Sequence, residues 1–359
     1  MWINNVKIKN FRNYIDEEIS LDKNINVFYG ENAQGKTNII ESIFLCGMGK
    51  SFRAKKDSEM INFESQNSII EVEFEKTDRT GKIKIELGTR KNIYLNGIKL
   101  KKLSELLGNI NLVIFTPEDI NILKGSPQNR RRFLDIMISQ LRPNYLNCLT
   151  LYLKTLEQRN NYLRQIKDER KDESLLDIWD EKLADYAIKI YEYRKEFIEK
   201  IKEKIKKIHN EITENKENIE IEYVSMCKEK KEFLQFLKER RKLDIIKGFT
   251  TRGVHRDDFI IYINGKEINI YGSQGQNRTA MLSLKLSEVK VVYDEIGEEP
   301  ILLLDDFMSE LDGKRRKSFL ENINNTQVII TCTEKLPLEN LKSFSYNVKS
   351  GKVYNDNTI

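Results

Sequence analysis

Gly30 to Thr37 read GENAQGKT and follow INVFYG, a short apolar run in which a strand can end. The pattern G-x-x-x-x-G-K-[ST] needs its glycines because the backbone must curl until several N–H groups point inward at phosphate oxygens. Lys36 then reaches the β- and γ-phosphates of a nucleotide, and Thr37 offers its hydroxyl to Mg²⁺. The next residues, NIIESIFLC, place apolar side chains at helical spacing, so a helix N-terminus lies under the phosphates. Strand, loop and helix in this order make Gly30, Glu31, Asn32, Ala33, Gln34, Gly35, Lys36 and Thr37 a nucleotide-binding stretch and give the chain an α/β character.

A phosphate loop needs an acidic partner for its metal, and Pro300 to Asp312, PILLLDDFMSELD, supply one at the end of an apolar strand. Asp305 is the candidate metal ligand, directly or through water. Asp306 is the candidate that orients or deprotonates the attacking water, because adjacent residues at a strand end diverge and serve different atoms. With Lys36 it makes up the catalytic set. Upstream, YGSQGQNRTAMLSLKLSEVK from Tyr271 opens a long helix with a serine, a glycine and a helix N-terminus, which together make a second anion site or a plain capping turn. One chain has a single γ-phosphate to hold, so an anion site at Ser273 and Gly275 is explained by a nucleotide bound to another subunit.

The bulk numbers set limits on the function. At 359 residues the chain is long enough to bury a core without staples, and with 33% charged residues it holds no apolar run of membrane-crossing length. The N-terminal MWINNVKIKNFRNY lacks the apolar core of a signal peptide, so a soluble, cytoplasmic protein with no membrane partner is expected. Cys46, Cys148, Cys227 and Cys332 lie far apart without a C-x-x-C pair, which indicates neither zinc nor disulfides but small buried side chains. The net charge of +5, from 61 basic and 56 acidic residues, becomes informative only where cations cluster.

Along the chain, residues 1–116 read as strands with short turns around the phosphate-loop helix: INNVKIKNF, EISL, INVFYG, IIEVEFE, KIKIELG and NIYLNG. From Glu118 the character turns helical, and between Leu183 and Ile208 apolar residues recur three or four apart. Strand text returns at NIEIEYVS, a helix is expected near Phe233 to Leu243, and FIIYING and EINIYG again alternate. The economical division is an ATPase domain made of residues 1–116 and 248–359, interrupted by a helical lobe at 117–247.

Together these motifs resemble the SMC-like branch of ABC-type ATPases, and within it the RecF family. The stretches that carry the resemblance are NFRNY at Asn10, GENAQGKTNIIES with GKSFR at Gly49, PEDINILKGSPQNRRRFLD from Pro117, GVHRDD at Gly253, YGSQGQNR at Tyr271 and LLLDDFMSELD at Leu302. The resemblance implies an ABC-type head with mixed β-sheets and a phosphate loop, interrupted by a helical lobe that lacks a long coiled coil. It implies ATP with Mg²⁺, an ATP-dependent homodimer, slow hydrolysis and DNA binding. It also implies work with RecR and RecO in loading RecA on gapped DNA, in repair, replication restart, recombination and the SOS response. On that basis Ser273 and Gly275 cap the partner's nucleotide, Asp305 and Asp306 form the Walker B pair, Asp312 lies in the D-loop, and Arg12 is an arginine near phosphate or base. The chain departs from the pattern in VIITCTE, where Thr331, Cys332 and Thr333 offer no switch histidine, and at Val254, where the family usually has proline.

Two clusters stand out as DNA candidates. Lys50, Arg53, Lys55 and Lys56 are mobile cations suited to phosphate contacts with single-stranded, duplex or junction DNA, and Arg130 to Arg132 either touch DNA or pair with acids inside the protein. Competing readings share the phosphate loop: an ABC-type ATPase driving a nuclease or other partner, and a small-molecule kinase. The kinase leaves Ser273 without a function.

Overall fold

In a computed structural model, which describes residues 1–169, 171–323, 325–335 and 342–356 apart from the side chains of residues 310 and 314, the chain forms two compact units. One comprises Met1–Asp119 with Leu282–Ile359, the other Ile120–Met281.

Among the described residues the first unit holds two six-stranded sheets. In one, Ile25–Tyr29 lies between Val328–Cys332 and Ser343–Lys349, and Ile301–Asp305 continues the sheet to Leu112–Phe115, all parallel. The strands Leu112–Phe115, Ile301–Asp305 and Val328–Cys332 are buried at every position, which is why they read as unbroken apolar runs. Parallel pairing puts their C-terminal ends on one edge, and the register sets Asp305 opposite Thr331 and Cys332 opposite Tyr29. The phosphate loop and the acidic pair therefore leave the sheet on the same edge.

The other sheet is antiparallel, in the order Tyr14–Ser20, Trp2–Phe11, Ser68–Glu75, Thr80–Leu87, Asn92–Leu95 and Ile98–Lys99. SIIEVEFE alternates buried and half-buried positions, as one packed face requires. The helix Lys36–Met48 contacts strands of both sheets and is buried along most of its length. It ends at Gly49, whose φ of 66° and N–H to Leu45 carbonyl bond of 2.7 Å make a left-handed cap.

The second unit packs the helices Pro127–Leu141, Pro143–Glu169, Leu176–Thr213 and Lys230–Lys247 with a small antiparallel sheet of Ile219–Val224, Asp258–Ile263 and Lys266–Glu267. That sheet moves a boundary: residues 248–281, expected with the ATPase domain, belong to the helical unit because Asp258–Ile263 pairs with Ile219–Val224. EINIYG is not a strand over its length either. Ile268–Tyr271 coils into a helical turn closed by the Gly272 N–H on the Ile268 carbonyl at 2.9 Å. The long helix Gln274–Ile296 is buried at every position from Ala280 to Val289, rather than along one stripe.

Buried guanidinium groups organise this unit. Arg159 is 0% exposed and reaches Asp180 at 2.6 Å, Asp244 at 2.8 Å and Thr250 at 2.8 Å. Arg194 bonds Tyr145 at 2.9 Å, Asp135 at 2.8 Å and the Val254 carbonyl at 2.7 Å. Arg130 grips Asp258 through two nitrogens at 2.6 and 2.9 Å, and Arg131 reaches the Asp257 carbonyl at 2.7 Å. Arg130 thus answers an acid inside the protein, and RRRFLD and GVHRDD are two halves of one lock. Val254 is itself buried and serves through its carbonyl, so a missing proline leaves the lock's chemistry unchanged. His255 sits between the Tyr152 hydroxyl at 2.7 Å and the Thr250 carbonyl at 3.1 Å, and burial pushes its pKa down to about 4, so it stays neutral.

No helix among the described residues is long and apolar enough to cross a membrane. Cys46, Cys227 and Cys332 are buried thiols, while Cys148 is only partly covered.

Removing one partner of a buried ion pair leaves the other charge uncompensated. Arg159→Leu is expected to cost about 3 kcal/mol in urea unfolding of the whole chain, because Asp180 and Asp244 lose their shared cation. A loss under about 1 kcal/mol, the size of an exposed pair, would sink this account of the lock.

Candidate nucleotide site

The phosphate loop curls where side chains cannot follow. Gly30 has φ +149° and a Cβ there would lie 2.4 Å from the Val348 carbonyl oxygen; Gly35 has φ +116° and a Cβ there would lie 2.6 Å from Asn13 Nδ2. Ala33 also takes a positive φ, 66°. Glu31, Asn32 and Ala33 stand exposed around the curl, and Gln34 is half-buried.

The loop is braced from two sides. Asn13 donates to the Gln34 carbonyl at 2.8 Å and accepts from Asn38 at 2.7 Å, while the Tyr14 hydroxyl donates to the Gly35 carbonyl at 3.1 Å. In the turn at Ser350 and Gly351, the Ser350 N–H donates to Gln34 Oε1 at 2.6 Å and the Gly351 N–H to the Gln34 carbonyl at 3.1 Å. The Lys36 ammonium folds back onto the Gly30 and Glu31 carbonyls at 2.5 and 2.7 Å, inside the ring of backbone. Burial lowers its pKa, and the nearby Asp306, Cys332 and Asp305 pull it back up.

At the sheet edge the Thr37 hydroxyl donates to Asp305 Oδ1 at 2.7 Å, and the Thr331 hydroxyl reaches the same oxygen at 2.9 Å. Asp305 is 8% exposed, and burial raises its pKa against these two hydroxyls. Asp306 begins the turn that follows, with φ 51°, and its N–H donates to Thr331 Oγ1 at 3.0 Å. Thr331, noticed in the sequence only as the absence of a histidine, holds both acids in place.

A Mg²⁺ ion fits here by the chemistry of the donors: a hydroxyl and a carboxylate oxygen already sit together, and hard oxygen ligands are what this ion takes. No group of three or more His, Cys, Asp or Glu residues suited to a metal occurs among the described residues.

Glu41, one turn into the loop helix, is 0% exposed and carries the two arginines of the surrounding motifs. Arg12 meets it with two nitrogens at 2.9 Å each, Arg53 at 2.7 Å and the Ser51 hydroxyl at 2.6 Å. Arg53, expected among DNA-contacting cations, bonds Glu41 and Asn38 and is itself exposed. Arg12 also reaches the Glu59 carbonyl at 2.6 Å. Lys50, Lys55 and Lys56 remain exposed. Asn13, Asn38, Glu41 and Thr331 were missed as site residues; Asn38 and Glu41, three apart at the start of the helix, were the readable signal.

In the second unit Ser273 caps Gln274–Ile296 through a reciprocal pair: the Gln276 N–H donates to Ser273 Oγ at 3.2 Å, and the Ser273 N–H to Gln276 Oε1 at 3.0 Å. Ser273, Gln274 and Gly275 are exposed. Asp312 caps Gly313–Asn322 by accepting from the Arg315 N–H at 2.9 Å.

The model of the RecF/RecN/SMC N terminal domain matches residues 2–353. A DNA replication and repair protein RecF of Acetivibrio thermocellus is 44% identical over 99% of this chain and 100% of that protein, and one of Clostridium tetani is 44% identical over 100% of both. A solved structure of the recombination mediator protein RecF with ATP superposes with a TM-score of 0.93, at 39% identity over 99% of this chain and 97% of that one. An Smc head bound to the winged-helix domain of ScpA shares the fold, with a TM-score of 0.59 at 16% identity over 99% of this chain and 97% of that one.

Burial raises the pKa of Glu41, but the bonds from Arg12, Arg53 and Ser51 outweigh it and hold the group below its usual range. A carboxylate lowered in the folded chain stabilises it above the unfolded pKa, and that contribution is lost as pH falls through the folded value. Glu41→Gln is expected to cost about 2 kcal/mol at neutral pH, with the gap to the parent closing in acid. Thermal melts of both proteins across a pH series check this, and a gap constant with pH rules the ion pairs out as its source.

Proposed function

The chain belongs to the RecF family of SMC-like ATPases, and from that premise we propose that it is an ATP-switched DNA-binding protein of recombinational repair. Two copies close on ATP, the closed pair grips DNA, and slow hydrolysis opens it. One observation carries the reading. A phosphate loop in one unit and an exposed, serine-capped helix N-terminus in the other amount to two anion sites, while one chain binds one γ-phosphate. The spare site is for the partner copy's nucleotide.

Within each site Lys36 leaves the Gly30 and Glu31 carbonyls to neutralise the β- and γ-phosphates, and Thr37 and Asp305 would hold Mg²⁺, which would offset phosphate charge. Asp306 orients the water whose oxygen attacks the γ-phosphorus as ADP leaves. Ser273 and Gly275 of the facing copy meet the γ-phosphate, and Asp312 lies across from its own counterpart. A threonine at 331 polarises less than an imidazolium, which suits a switch rather than a fast enzyme. DNA phosphates, on single-stranded, duplex or junction substrates, meet Lys50, Lys55 and Lys56. RecR and RecO are the expected partners, RecA the protein loaded, and the cytoplasm the place of work.

The test of the shared site is a mixture. Lys36→Ala removes ATP binding, and Ser273→Arg blocks closure while leaving ATP on each monomer. Neither alone is expected to hydrolyse ATP, and at equal total protein the mixture is expected to recover part of the parent's rate through one intact composite site. Full activity of Ser273→Arg alone contradicts the trans role.

DNA affinity is expected to fall steeply with salt. Changing Lys50, Lys55 and Lys56 together to glutamine should flatten the slope of log affinity against log salt by about 1 for each lysine that meets a phosphate, with ATP affinity untouched. Superimposable salt titrations of variant and parent reject this surface.

A further inference from the structure

We propose that Glu217 is a positioning residue for Ser273: its carboxylate, backed by the buried His209, fixes the side chain that holds the helix end offered to the partner copy's nucleotide. This deepens the shared-site reading and rests on it. The four residues in this line of contacts, His209, Glu217, Gln276 and Ser273, all lie within the second unit.

Gln276 makes the cap in one orientation only. Its Oε1 accepts the Ser273 N–H at 3.0 Å, and a carboxamide turned end for end would set its NH₂ against that N–H, donor against donor. The far end selects the orientation, since Gln276 Nε2 donates to Glu217 Oε1 at 2.9 Å. A carboxylate accepts and does not donate, so one end of the amide satisfies it and the other does not. Gln276 also donates its own N–H to Ser273 Oγ at 3.2 Å, so the serine's backbone and hydroxyl are both placed by this residue.

Glu217 is itself fixed from both sides. Before it, the chain leaves the helix Leu176–Thr213 through two left-handed residues, Glu214 at φ 54° and Asn215 at φ 58°. The Asn215 N–H closes on the Asn210 carbonyl at 2.8 Å and the Lys216 N–H on the Thr213 carbonyl at 3.1 Å. After it, the Asn218 N–H donates to Asn264 Oδ1 at 2.8 Å and the Asn218 carbonyl accepts the Asn264 N–H at 2.9 Å. Glu217 Oε2, the oxygen that Gln276 does not take, lies 3.4 Å from Nε2 of His209, a wholly buried residue near the end of the same helix. Burial lowers the His209 pKa against the pull of Glu217, so the ring is neutral at neutral pH and leaves the carboxylate's charge to Gln276.

Amide hydrogen exchange on the whole chain and the mixing assay together test the assignment. Glu217→Met, similar in length but without an acceptor, is expected to speed exchange of the Ser273 and Gln276 amides about tenfold, the size of one lost hydrogen bond to a charged group. Glu217→Gln keeps an acceptor oxygen and is expected to keep the parent's protection. In the mixture of Lys36→Ala and Ser273→Arg chains, the composite site takes its serine from the Lys36→Ala chain alone. Glu217→Met on that chain is expected to cut the recovered ATPase about tenfold, and on the Ser273→Arg chain to leave it unchanged. A general loss of stability acts from either chain, so an equal effect of the two placements overturns the proposal. Unchanged exchange at Ser273 and Gln276 in Glu217→Met also overturns it, as does an equal loss of protection in Glu217→Gln. If the two mutants recover no ATPase even with Glu217 intact, the shared-site reading fails on its own, and exchange in the single chain still decides whether Glu217 holds the serine.

Discussion

The candidate site depends on one buried carboxylate. Asp305 sits at the end of a strand with no polar neighbour along its buried length, and burial works against its charge. The fold keeps it usable by bringing two hydroxyls to one oxygen, Thr37 from the phosphate-loop helix and Thr331 from the adjacent strand. Both approaches follow from parallel register, which aligns the ends of Ile25–Tyr29, Val328–Cys332 and Ile301–Asp305. A slip of one residue between Ile301–Asp305 and Val328–Cys332 sends Asp305 to the face away from Thr331. The apolar run of the strands and the chemistry at their ends are one constraint seen twice.

A second theme is the arginine that answers an acid out of water. In the first unit Glu41 gathers Arg12 and Arg53; in the second, Arg130, Arg159 and Arg194 gather Asp258, Asp180, Asp244 and Asp135. Such pairs return little net stability for the cost of desolvating both partners, but their planar geometry specifies a single arrangement, and breaking one is costly. In this chain they explain charged motifs outside the phosphate loop. RRRFLD and GVHRDD are far apart in sequence, carry charge, and on the sequence alone admit either DNA contact or internal pairing. The buried end of Arg130 on Asp258 decides for pairing.

What was legible in the sequence was whatever depends on local geometry. The curl at Gly30 and Gly35, the lysine and threonine after it, and the acids ending an apolar strand each follow from spacing along the chain. The long helix and the alternating strands followed from periodicity. The boundary at residue 281 was not legible, because Asp258–Ile263 joins the helical unit through a strand almost forty positions earlier, and pairing between distant strands leaves no local trace. The partner of Arg53 was hidden for a related reason. A cation in a basic cluster looks mobile until Glu41, a buried residue on another element, is seen beneath it.

The signature end of the helix at Ser273 poses a different question: why an exposed helix N-terminus, with its orphan N–H groups, is stable while it waits. Ser273 and Gln276 satisfy one another's backbone N–H groups, so the end is capped without any ligand. In that cap Ser273 Oγ acts as an acceptor, which leaves its own O–H proton to donate to an incoming anion. The side chain of Gln276 is also tied to Glu217 at 2.9 Å, so the cap is anchored in its own unit. A ligand arriving from outside therefore meets a preformed, positively polarised helix end that needs no rearrangement to receive phosphate. A site stable when empty and ready when approached is what the proposed clasp between two copies would need, since each copy would have to persist alone between encounters.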